Sequence, residues 1–266
     1  MTAAIHGTVW RPPPLFGSRL RQRLTVIGVL AYLVWAVTDL TIDVDRVLAG
    51  FGRAANIFAR MFPPDFARWH LLFDGMIESV QIAFAATLLG AGLSIPLGLA
   101  AARNLAPRAI YALARSAIVL GRTLHEVIIA IFCVKLFGFG PVAGLITLAF
   151  ASAIFLGKML AEDIENVRLG PVEAVRATGA GFGQIVVYAI VPQVLARTVG
   201  VLIYRLDANV RHSTVIGIVG AGGIGQTLSA SFSRYDYDFS SAILLSIIAL
   251  VAVGEWFSDW VRRKLR

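Results

Sequence analysis

Long apolar runs recur along this chain, each ended by basic or turn-forming residues, and they restrict the architecture more than any motif does. The runs cover residues 24–38, 76–102, 122–137, 142–160, 192–210 and 242–256. A hydrocarbon core about 30 Å thick takes about 20 helical residues to cross. Inside it every backbone N–H and C=O must be satisfied internally, which leaves helices or closed barrels. Period-two alternation, the mark of a barrel strand, is absent from these runs. The expected fold is therefore all-α, a polytopic helical membrane protein with about six transmembrane helices.

Composition agrees. The chain is 58% hydrophobic and 15% charged, whereas a soluble domain has about 25% charged residues. The net charge of +8 does not point to nucleic acid, because the basic residues cluster at the ends of apolar runs, where they orient a membrane protein. Cys133 lies in an apolar run and reads as a small buried hydrophobe. His125 has no second His, Cys or carboxylate at metal-site spacing, so no metal site is expected. No repeat or polar linker divides the chain, so residues 1–266 are read as a single permeation domain.

In order, residues 1–23 form a tail with Pro12, Pro13 and Pro14 that ends in Arg19, Arg21 and Arg23, just before the first span at 24–38. Residues 46–70 are amphipathic, with Arg46, Arg53 and Arg60 at seven-residue spacing, and read as a segment lying along the outer interface. A core unit of five further helices is expected over 76–261, with Gly90, Gly92 and Pro96 allowing close packing and a bend in its first helix. Arg122 and Glu126 are four apart and are expected to pair on one helix face. Arg262, Arg263, Lys264 and Arg266 follow the last run, so both termini are expected in the cytoplasm.

Between two apolar runs, Gly170 to Gly179 reads as a short polar helix: Gly170 as N-cap, Pro171 at the first position, Glu173 in the first turn and Gly179 as the stop. A helix of about two turns is unstable alone and needs a partner surface. Glu173, Ala174, Gly179 and Pro192 have the order and spacing of the EAA motif of ABC-transporter permeases, which the chain resembles, although Val175 and Ala189 depart from the usual pattern. The resemblance implies a coupling helix at 171–179 that docks into a cleft of an ATP-hydrolysing subunit, with Glu173, Ala174 and Gly179 carrying the coupling.

The second unusual stretch is Tyr204 to Gln226. Polar groups inside a span are costly unless they pair or face water. Asp207 and Arg211 are four apart and can neutralise each other, which places Arg205, Asn209 and His212 on a different face as the candidate lining of an aqueous path. A buried network that fixes helix packing fits the same residues. Gly220, Gly222 and Gly225 match G-x-G-x-x-G, but no βαβ unit surrounds them. The run is read instead as non-helical backbone lining a cavity or as a glycine-rich outer loop.

Asn209 to Gly225 also looks like the signature of phosphonate-uptake permeases, a branch of the type I ABC importers, with Asp207 where that family usually has Glu. The likeness extends to Pro63, Pro64, Asp65, Arg103 and Asn104. It implies a permease of the bacterial inner membrane, working as a homodimer with two copies of a cytoplasmic ATPase and an extracytoplasmic binding protein. Path or gate residues would be Arg205, Asn209, Arg211, Ser213, Gly222 and Gly223. The chain has no G-x-x-x-x-G-K-[ST] loop, so ATP and Mg would sit on the partner ATPase, with no cofactor in this chain and no enzymatic role. An ion-coupled carrier or channel for an anion is the other reading.

Overall fold

The computed structural model describes residues 19–40 and 43–265. The expected tail through residue 18, with its prolines, and Arg266 lie outside the described residues. Contacts divide the chain into two units, Met1–Asn56 and Ile57–Arg266. Among the described residues every regular element is helical.

In the first unit, α1 (Arg19–Asp39) has 21 residues, apolar after the arginines at its start, a length of about 31 Å at 1.5 Å per residue. That is enough to cross a membrane. The amphipathic α2 (Val44–Arg60) begins with Asp45 and ends with Arg60, each placed to complement the helix dipole.

The second unit is built on α3 (Trp69–Ala100) and α6 (Pro141–Glu165). With apolar lipid outside, apolar burial does not drive helices together, so close backbone approach through small residues has to. Gly90 lies against Ala149 and Ser152, Gly98 against Leu160, and Gly157 against Leu97, where a Cβ would approach to 2.9 Å of the leucine Cγ or Cδ2 carbons. Gly92, expected in the same contact, faces open space.

Between them, α4 (Arg108–Thr123) and α5 (Glu126–Phe137) meet at a 90° bend. Leu124 and His125 are extended there, and His125 Nδ1 accepts from Val127 N at 3.3 Å. The bend removes the expected Arg122–Glu126 pair, since four-residue spacing brings side chains together only within one continuous helix. Cys133 on α5 is buried in the apolar cluster with Ile82, Ala130 and Leu148.

After α6 comes α7 (Leu169–Ala177), then the single turn α8 (Phe182–Ile185), a π-helical segment (Val186–Ile190) and α9 (Val191–Gly217). Pro192 explains the π segment: a proline has no N–H to donate and its ring crowds the carbonyl four residues back, which the wider turn relieves. A turn through Gly220 and Gly222 leads to α10 (Gly223–Ser233), and α11 (Tyr237–Leu265) ends the described chain.

The turn between α10 and α11 is tied to the irregular stretch before α3. Asp65 N donates to Asp238 O at 3.1 Å, Arg68 pairs with Asp236 at 2.7 Å, and the Arg68 guanidinium lies 3.8 Å from the centre of the Phe239 ring. At the opposite end, Glu165 accepts from the Arg103 N–H at 2.8 Å and from Arg115 at 2.9 Å, and Asn104 donates to Ile164 O at 2.8 Å.

Candidate functional site

α9 carries most of the chemistry, and its two long faces have opposite fates. Arg205 is 5% exposed and Asn209 and Ser213 are 0% exposed, so this face is packed into the bundle. Arg205 Nε donates to Ser152 Oγ and its Nη2 to Glu126 Oε1, both at 2.9 Å. Asn209 Nδ2 donates to Thr87 and Ser152 at 2.8 Å each. Glu126 also meets His212 Nδ1, while the Phe155 ring lies 5.4 Å from the Arg205 guanidinium. The glycine at position 90 makes this possible, because a Cβ there would collide with Ser152. Arg205 thus has a counter-charge on α5, which fits the buried-network reading of this face. Spacing within α9 could not supply it, because the carboxylate comes from another helix.

The other face stays open. Arg197, Tyr204 and Arg211 recur every seven residues, and Tyr204 is 47% exposed. Arg211 lies between Asp207 at 2.8 Å and Glu255 of α11 at 2.9 Å. Two carboxylates on one guanidinium leave it little electrostatic appetite for a further anion. Arg197 differs: it uses Nε for Asp163 at 2.9 Å and its side chain remains 68% exposed. With Tyr204, Gly200, Phe155 and Arg262 of α11, it lines a groove of about 600 Å³. A Cβ on Gly200 would meet nothing within 4 Å.

Gly222 and Gly223 are buried inside the chain. Both have positive φ, 85° and 72°, where glycine alone is unstrained. A Cβ on Gly222 would lie 2.9 Å from Pro141 Cα, and one on Gly223 would collide with Ser79 Oγ, which accepts from Ile224 N at 3.0 Å. These glycines let the α9–α10 turn press onto α3 and the start of α6.

The α7 helix begins two residues before the expected start at 171. Pro171 falls within the first turn, whose N–H groups have no intrahelical acceptors in any case, so the helix can open ahead of it. Gly179 follows the helix end at φ 80° and donates to Arg176 O at 3.0 Å. Val172 is the one buried residue of α7, packed with Ala102, Ile164 and Ile190. Glu173, Ala174 and Gly179 all face outward. Gln193 holds the start of α7 by accepting from Arg168 N at 2.9 Å. A groove of about 640 Å³ runs along α7 between Ala174, Gly179 and Tyr188.

The family model for the inner membrane component of binding-protein-dependent transport systems matches residues 94–266, which take in α7, the polar network except Thr87, and the glycine turn. The chain belongs to that family. Among family relatives, the phosphate-import permease PhnE of Mycolicibacterium smegmatis is 38% identical over 95% of this chain. The chain spans about half of that protein, 48% of its length. The phosphite transport permease PtxC of Stutzerimonas stutzeri is 36% identical over 93% of this chain and 90% of its own length. A chain of the methionine ABC transporter MetNI, solved in inward-facing conformations, superposes with a TM-score of 0.65 at 23% identity, over 76% of this chain and 99% of that one. It shares the importer-permease fold.

Sequence reasoning within this family missed Arg197 on α9 and its neighbours Glu255 and Arg262 on α11. The seven-residue repeat of Arg197, Tyr204 and Arg211 was a visible signal. Their partners on α6 and α11 were not, because pairing between distant helices leaves no spacing rule in one sequence.

Proposed function

We propose that this chain is the membrane-spanning permease of an ATP-driven importer for a phosphorus oxyanion, and that the open face of α9 is its route. The observation that carries the substrate class is the pair of relatives named for phosphate and phosphite transport, each matching more than nine-tenths of this chain. The groove beside Arg197, Tyr204 and Arg262 supports this route, since each arginine is held by a single carboxylate (Asp163 and Asp259) and keeps further N–H groups that, with the phenol, suit a tetrahedral oxyanion. A second copy of the chain would close the open face. Two copies of an ATPase would bind ATP and Mg and dock on the outward face of α7 through Glu173, Ala174 and Gly179. An extracytoplasmic binding protein would deliver the anion, and both termini would be cytoplasmic.

The packed face has a different role in this reading. Arg205, Asn209, Ser213, Gly222 and Gly223 hold α3, α5, α6 and α9 together and transmit movement of α7 along α9. They do not touch the anion. The test is uptake of phosphate, phosphite and methylphosphonate into vesicles containing this chain with its ATPase and binding protein. ATP-dependent uptake of at least one of the three is expected, and Arg197→Gln should lower it while ATP hydrolysis persists. Uptake without the ATPase, driven by an ion gradient, would overturn the assignment. Normal uptake by Arg197→Gln would move the route elsewhere.

A further inference from the structure

A second groove lies on the surface of the bundle, separate from the Arg197 groove. It has a volume of about 480 Å³ and runs between α3, α9 and α11, with Val80, Ile203 and Val253 among its walls. Along α11 it extends from Leu250 to Val261, about 16 Å at helical rise. That is the depth of one leaflet of a hydrocarbon core about 30 Å thick.

Asp207 also lines the groove, neutralised by Arg211 at 2.8 Å, and two further polar features break its apolar surface at the end near Val261. Ser258 lines the groove and is 3% exposed, and its Oγ has no hydrogen-bond partner among the described residues. A buried hydroxyl without a partner is costly. An acyl ester carbonyl would accept its proton, whereas a bare hydrocarbon neighbour would leave it unpaired. One turn further on, Phe257, Val261 and Lys264 stand at i, i+4 and i+7 and share a face of α11. Lys264 is exposed, lies 4.2 Å from the centre of the Trp260 ring, and has no carboxylate within ion-pair distance among the described residues. An apolar slot one leaflet deep, then an unpaired hydroxyl, then an uncompensated ammonium, matches the order of acyl chain, ester and phosphate in a phospholipid.

We propose that this groove binds one anionic phospholipid per chain, with an acyl chain in the slot, an ester carbonyl at Ser258 and the phosphate at Lys264. The site is separate from the anion route, since none of Phe155, Arg197, Gly200, Tyr204 and Arg262 is among its walls. Its occupant would brace α11 against α9 close to the Arg211–Glu255 pair.

The test uses the full chain in its complex, purified in mild detergent and examined by native mass spectrometry with equal amounts of dioleoylphosphatidylglycerol and dioleoylphosphatidylcholine. One phosphatidylglycerol per chain should be retained, about fivefold in preference to phosphatidylcholine, the factor expected for one cation near an anionic headgroup. Lys264→Gln should abolish the preference, and Val253→Trp, which fills the slot, should abolish retention of both lipids. Lys264 is exposed, so its replacement leaves folding intact and keeps the proposal falsifiable if Val253→Trp does not accumulate. Equal retention of the two lipids, or a preference that survives Lys264→Gln, would overturn the proposal. So would dissociation of paired chains by Val253→Trp, which would make the groove a surface between copies.

Discussion

Replacing Glu126 with Gln tests whether the packed face of α9 is held by charge. The substitution keeps the shape of the side chain and removes the counter-charge from Arg205, whose side chain is 7% exposed and 2.9 Å from Glu126. An arginine cannot shed its proton to escape burial. Breaking a buried ion pair from one side costs about 3–5 kcal/mol. At about 2–4 °C per kcal/mol for a chain of this size, the melting temperature should fall by about 10 °C. Double replacement, Glu126→Gln with Arg205→Met, should recover most of that loss, because an apolar isostere of a buried pair is often neutral. The assay is a double-mutant cycle on purified protein followed by intrinsic fluorescence during heating. A shift of less than about 2 °C for Glu126→Gln, or a double variant equal to the sum of its singles, would refute a charge-held network.

Three further outcomes are expected. Gly179→Val puts a β-branched residue at φ 80° in open space, a local strain of about 1–2 kcal/mol; the chain should insert normally while ATP-driven uptake falls several-fold, and wild-type uptake would remove Gly179 from coupling. Gly223→Val should fail at folding instead of gating, since overpacking costs about 1–3 kcal/mol beyond the backbone strain, and a monodisperse protein of unchanged melting temperature would refute this. The hydrogen bond from Arg68, then one with Asp238 and the Arg68 charge, hold the Asp236 carboxyl below the usual carboxylate range against a desolvation that raises it. Its stabilisation is therefore complete above the ordinary value of about 3.9 and fades as pH falls through the lower folded value. Melting temperature should be insensitive to this pair between pH 5 and pH 7 (on the order of the screened surface limit, below about 1 kcal/mol), and Asp236→Asn should lower it slightly there; an Asp236-dependent loss between pH 7 and pH 5 would contradict the assignment.

Much of the architecture was legible because a bilayer leaves a chain few options. The apolar runs of α3, α6 and α11 had to be helices, whereas the break at the extended Leu124 and His125 was missed, since four-residue spacing put Arg122 and Glu126 on one helix face. The stop of α7 was legible too, because Gly179 acts on its own backbone and needs no distant partner, whereas the start lies two residues before the expected Pro171. What one sequence could not yield is which face of α9 is buried. Arg205 and Arg211 are both arginines in the same helix, and helical spacing gives only Arg211 a partner, Asp207. Tertiary structure reverses the inference. The 90° bend carries Glu126 across to Arg205, the missing side chain at Gly90 admits Ser152, and α11 brings Glu255 to Arg211. Local backbone preference and solvent incompatibility are properties of a segment and can be read from it; the pairing of charges across helices depends on which helices touch, and only the packed bundle decides that.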